Sequence, residues 1–152
     1  MGKKIVIGIG NHLMGDDAFG LRVVESLKER YPDTGVEFIE GGTLGLDLLR
    51  HFERADHLIL VDAMDVGAEA GQVFLFDQDE LQQFFHDRPL SIHDVKLPEL
   101  LWVAKGMGVQ PPRVSVVACQ IKQIAPGSEM SDEVARALSE AERIVLQELQ
   151  SA

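Results

Sequence analysis

Lys3 to Arg22, KKIVIGIGNHLMGDDAFGLR, is the stretch whose reading decides the fold. Ile5, Val6, Ile7 and Ile9 form a β-branched run without polar interruption, the pattern of a central parallel strand covered on both faces. Gly8 and Gly10 let the backbone turn sharply where that strand ends. Asp16 and Asp17 then precede Leu21, Val24 and Leu27, an apolar stripe at helical spacing. The stretch therefore predicts a strand, a glycine loop and a helix whose N-terminus carries two acids. In an open α/β sheet, the edge beyond the strands' C-termini is where ligands sit.

Outward from this junction, Val36 to Ile39 reads as a second strand, closed by Glu40 and the Gly41-Gly42-Thr43 turn. Leu44, Leu46, Leu48 and Leu49 predict a short helix. Leu58 to Val61 forms another all-apolar strand, with Asp62 at its C-terminal end and Asp65 soon after. Gln72 to Phe76 predicts a fourth strand, Asp77 to Phe85 a helical or irregular excursion, and Arg88 to His93 a loop. Leu97 and Pro98 open a helix that turns Leu100, Leu101, Ala104 and Met107 inward and stops at Gly106 and Gly108. Val114 to Ala118 is the last strand. Ser131 is expected to cap a terminal helix with the stripe Val134, Leu138, Ala141 and Val145. This alternation predicts an α/β protein, a three-layer α/β/α sandwich around a mainly parallel sheet of roughly five strands. One domain is expected over residues 1–152.

A chain of 152 residues can bury roughly 70% of the surface its unfolded form exposes and needs no staple. Its net charge of -11 disfavours a nucleic-acid backbone or an anionic membrane and suits a cationic or metal-bearing partner. Cys119, the lone cysteine, cannot form an internal disulfide, and MGKKIVIGIG reads as strand and loop, not as a secretion signal. No apolar run approaches the roughly 20 residues that span a bilayer. Together these predict a reducing, cytoplasmic setting.

Strands one and three are expected to be neighbours, so Asp17 and Asp62 project over one edge, where two carboxylates repel each other and a cation resolves the conflict. His93, in a loop that must return across the sheet before the next helix, is the downstream candidate for a third ligand. Asp16 is expected to serve first as a helix cap, worth about 1 kcal/mol. His12, in the glycine loop, is near enough to touch a ligand, whereas His51, His57 and His86 read as surface residues and Cys119 as a small buried hydrophobe. A dinucleotide fingerprint begins with Gly8, Gly10 and Glu40 but fails at Leu13, and two acids at the helix start oppose a pyrophosphate. G-x-S-x-G, H-E-x-x-H and C-x-x-C are all absent.

The segments GIGNHLMGDDAFG, EGGTLGLDLL, HLILVDA and SIHD, in this order, resemble the hydrogenase maturation endopeptidases, which trim the C-terminus of the large subunit of nickel-iron hydrogenases. The resemblance spans essentially the whole domain. It implies a compact three-layer protein that recognises the nickel of a large-subunit precursor through Asp17, Asp62 and His93, the metal being the substrate's own; zinc or cadmium can take its place in a crystal. Position 17 is often Glu in that family and here is the shorter Asp. Glu40 stands where the family often has Asp and is expected to help catalysis. Two carboxylates and one imidazole make a borderline site with open positions, suited to polarising a carbonyl or activating water. Asp16 or Glu40 is then expected to take the proton. Two other readings are a nickel-binding or chaperone-like module that does not cleave and a nucleotide-binding Rossmann-type enzyme.

Overall fold

In the computed structural model the described residues are 2–32, 34–42, 48–77, 79–80, 83, 91–92, 95–96, 103–109 and 112–151. Strand β1 (Lys4–Ile9) leads through a glycine turn and a 3-10 helix (Gly15–Ala18) into helix α1 (Phe19–Arg30). Strand β2 (Glu37–Gly42), helix α2 (Leu48–Arg54), strand β3 (His57–Met64) and strand β4 (Val73–Asp77) follow. Two short strands, β5 (Ser91–Ile92) and β6 (Val95–Lys96), pair antiparallel away from the main sheet. Strand β7 (Arg113–Gln120) and helices α3 (Asp132–Arg136) and α4 (Leu138–Leu149) complete the chain.

The main sheet runs β2-β1-β3-β7-β4, its first four strands parallel and β4 antiparallel on the edge. The expected five-stranded, mainly parallel sheet is therefore present, and strands one and three are neighbours, with Val6 opposite Ile59 and Gly8 opposite Val61. Period-two alternation splits each central strand between two cores. Ile5, Ile7, Leu58, Leu60, Val114 and Val116 face Phe52 of α2 and Ala104 on one side. Val6, Ile59, Val61 and Val117 face the stripe of α1 and Val134, Ala141 and Val145 of the last helices on the other. Burial on both faces is why these strands read as unbroken apolar runs, and each fully buried Ile, Leu or Val contributes about 1.5–3 kcal/mol. Edge strand β4 is half-open by comparison, with Leu75 exposed.

Several expectations need correction. Part of the predicted 88–93 loop is strand β5. Met107 was expected inward but lies exposed, because the helical turn at 103–106 has ended before it, whereas Ala104 is buried as expected. The terminal helix is broken at Ala137, and Ser131 makes no side-chain cap on it. His51 and His57, read as surface residues, are buried. The turn at 43–47, the helix start at 97–102, His86 and His93 lie outside the described residues. Among the described residues no helix is long and apolar enough to cross a membrane.

Candidate active site

The site begins with a backbone approach that only glycine permits. A Cβ on Gly20 would lie 2.1 Å from the carbonyl oxygen of Val61 and 2.6 Å from that of Ile9, and one on Gly8 would lie 2.3 Å from the carbonyl oxygen of Gly20. The first turn of α1 thus rests directly on the C-terminal ends of β1 and β3. Gly10 has φ of +145°, and a Cβ there would meet the carbonyl oxygen of Asp17 at 1.9 Å. That carbonyl accepts the Asn11 N–H at 3.2 Å, pulling the 3-10 turn down onto the strand end.

Asp17 therefore sits three residues before Gly20, and Asp62 directly follows Val61, the two residues whose backbones touch. The 3-10 turn packs against β3, and both carboxyl residues are buried, 6% exposed for Asp17 and 2% for Asp62. Asp17 stands in the turn after β1, and Asp62 lies two residues before the end of the neighbouring strand β3, where the sequence reading ended that strand one residue earlier, at Val61. Glu40 lies on β2 across from Gly8, exposed, with an oxygen 3.6 Å from Nε2 of His12. His93, expected as the third ligand, lies outside the described residues, between the paired segments Ser91–Ile92 and Val95–Lys96 in sequence.

Asp16 does something the sequence did not announce. It caps neither the 3-10 helix nor α1, neither of which has a side-chain cap. Fully buried, its carboxylate reaches across to the segment after β7. Oδ2 accepts the Lys122 and Gln123 N–H groups, each at 2.8 Å, and the Ser131 hydroxyl at 3.1 Å, while Oδ1 accepts the Ser131 N–H at 2.7 Å. Burial by itself would raise the carboxyl pKa, but the bonds from Gln123, Ser131 and Lys122 outweigh it and hold the group below its ordinary value. Ser131 is thus spent on Asp16, which explains its missing cap. The cap reading of Asp16 gives way to a tie between the site's turn and the 121–131 segment.

A second tie flanks Asp62. Gln120, buried at the end of β7, accepts the Val66 and Ala68 N–H groups through Oε1 at 2.8 and 3.1 Å. Its Nε2 donates to Oδ1 of Asp65 and to the Ile121 carbonyl. The turn after β3 is held by one amide that satisfies four groups. Nothing in the sequence marks a strand-ending glutamine for this. Cys119, next to it, is fully buried as expected; burial, and then the charge of Asp16, push its thiol up to about 12. It is no nucleophile at neutral pH.

The fold is a mainly parallel five-stranded α/β sheet with helices on both faces and two buried acids, Asp17 and Asp62, toward the C-terminal side of its central strands. The chain belongs to the hydrogenase maturation protease family, whose description (HycI) matches residues 21–148. It is 34% identical over 146 residues to the hydrogenase expression/formation protein HoxM of Azotobacter vinelandii, covering 94% of this chain and 70% of that one. With HupD of Bradyrhizobium diazoefficiens it shares 38% identity over 120 residues, 78% of this chain but 62% of that relative. The hydrogenase maturating endopeptidase HybD of Escherichia coli superposes with a TM-score of 0.84 at 30% identity, covering 97% of this chain and 92% of that one.

Proposed function

We propose that this protein is an endopeptidase that removes the C-terminal extension from a nickel-loaded nickel-iron hydrogenase large-subunit precursor in the cytoplasm, gripping the substrate's nickel with Asp17, Asp62 and His93. The observation that carries this reading is the burial of two acids on the C-terminal side of neighbouring parallel strands, Asp17 in the turn after β1 and Asp62 near the end of β3. Two buried carboxylates on that side favour a cation there. Carboxylate oxygens with one imidazole suit nickel and leave positions open for the precursor's own ligands or for water.

In this reading Asp17, Asp62 and His93 would hold the precursor's nickel and so position its tail, and the ion would supply Lewis-acid polarisation of a carbonyl or water. With its pKa lowered and four donors already bound, Asp16 is a poor proton acceptor. Glu40, exposed to solvent across β1, is the acid that takes the proton.

The test is incubation of nickel-loaded precursor with the purified protein, read by intact mass. A shortened product is expected with the wild type and none with Asp17→Asn, Asp62→Asn or His93→Ala, each folded by circular dichroism. Metal-free precursor should stay whole; trimming it at the normal rate would refute recognition through nickel. An uncut loaded precursor would leave a nickel-binding module that does not cleave.

A further inference from the structure

Beside the acidic edge, a second group of metal-ligand side chains converges from three separate elements. His12 belongs to the turn after β1, Glu25 to the middle of α1 and Glu40 to β2, and one ligand atom from each lies within 4.8 Å of the others. Their positions in sequence give no local reason for this meeting, unlike the i,i+3 pair of Glu140 and Arg143.

Several surface acids are matched to a lysine or arginine, whereas others, Glu29 and Glu53 among the described residues, are not. Glu37 pairs with Arg54 and Lys3, Glu133 with Lys122, Glu140 with Arg143, Glu142 with Arg30 and Glu148 with Arg113. Among the described residues, Glu25 and Glu40 have no lysine or arginine partner, and the nearest basic group to Glu40 is the imidazole of His12 at 3.6 Å. Two carboxylates are thus brought together around a nitrogen donor in a chain of net charge -11.

We propose that His12, Glu25 and Glu40 form a second site for a borderline divalent ion, nickel or zinc, distinct in its ligands from Asp17 and Asp62 but sharing Glu40 with the chemistry proposed for that edge. An imidazole nitrogen with two carboxylate oxygens is the donor set such ions take, water filling the remaining positions. Ligand atoms around an ion at about 2.1 Å stand roughly 3–3.5 Å apart. The group therefore closes by about 1 Å on binding, which exposed side chains do by rotamer changes alone. Hard magnesium, which keeps its waters, is a poor match for this donor set. Binding through one oxygen of Glu40 leaves its other oxygen available, and the site stands whether or not the protein cleaves a precursor.

Equilibrium dialysis of the full chain against nickel alone and zinc alone, with metal counted by mass spectrometry, tests the proposal. Loss of an outer hydrogen-bond partner already weakens metal sites about 10- to 100-fold, so His12→Ala and Glu25→Gln should each weaken one bound ion by at least about tenfold. The Asp17→Asn, Asp62→Asn double variant should keep that ion and lose any other. Zinc titration followed through the imidazole resonances should shift His12, and magnesium should not compete. Wild-type binding unchanged in His12→Ala and Glu25→Gln, no shift of His12, or an ion lost only in the double variant would overturn it. Failure of precursor cleavage would not.

Discussion

Replacing Asp16 by Asn removes one of two acceptor oxygens that together hold four donors. An amide nitrogen in the place of Oδ1 faces the Ser131 N–H, and in the place of Oδ2 it faces those of Lys122 and Gln123. The cheaper orientation orphans one buried N–H, which costs about 1–3 kcal/mol. The remaining bonds also lose their charge assistance, worth roughly 0.5 kcal/mol each. We expect a total near 3 kcal/mol, and for a domain of this size a fall in Tm of about 6–12 °C. Urea melts at pH 7 and thermal melts by circular dichroism read both quantities.

The pH dependence provides a second arm. Because the folded pKa of Asp16 lies below its ordinary 3.8, the stability it contributes is present above that value. As pH falls through the lowered folded pKa that contribution is lost, so the gap between wild type and variant should close in strong acid. A variant within about 0.5 kcal/mol of wild type at pH 7, or a gap that does not change with acid, would refute the tie between the 3-10 turn and the 121–131 segment.

Gly20→Ala forces a methyl to within 2.1 Å of the Val61 carbonyl oxygen, so backbone must move and we expect at least about 2 kcal/mol of destabilisation by urea melt. Gly106→Ala, with nothing within 4 Å of the added Cβ, is the control and should stay within about 0.5 kcal/mol of wild type. His57 hydrogen-bonds Ser115 through Nε2 at 2.9 Å while its buried Nδ1 has no partner among the described residues; burial, then Arg113 and Lys4 against an opposing Glu148, hold its pKa below 6.5. The folded state then resists protonation, so stability is full above pH 6.5 and drains as pH falls toward the folded value. Wild type should lose more than His57→Leu between pH 7.5 and about 5.5, and equal losses would count against this. Cys119, pushed up to about 12, should stay unreactive toward a thiol reagent at about pH 8 until the chain unfolds.

Much of the fold was legible in the sequence because apolar periodicity records burial directly. Ile5 to Ile9 and Leu58 to Val61 are apolar at every exposed-or-buried alternation, and only a strand covered on both faces needs that. The same reading made strands one and three neighbours, as β1 and β3 are. What the sequence determined by itself was therefore the sandwich and the order along the chain of the strands of its main sheet.

Other features depended on partners far away along the chain. Asp16 looked like a cap because a cap is the nearest use for an acid before a helix, yet its donors are more than a hundred residues on, at Lys122, Gln123 and Ser131. His57 looked exposed because it flanks an apolar run, but β7 and α4 bring Ser115 and Glu148 to it. His12, Glu25 and Glu40 belong to three elements whose meeting no local spacing encodes. Burial pattern is a property of each element and can be read from it alone. A polar side chain's partner is set by how elements pack, and only the tertiary structure decides that.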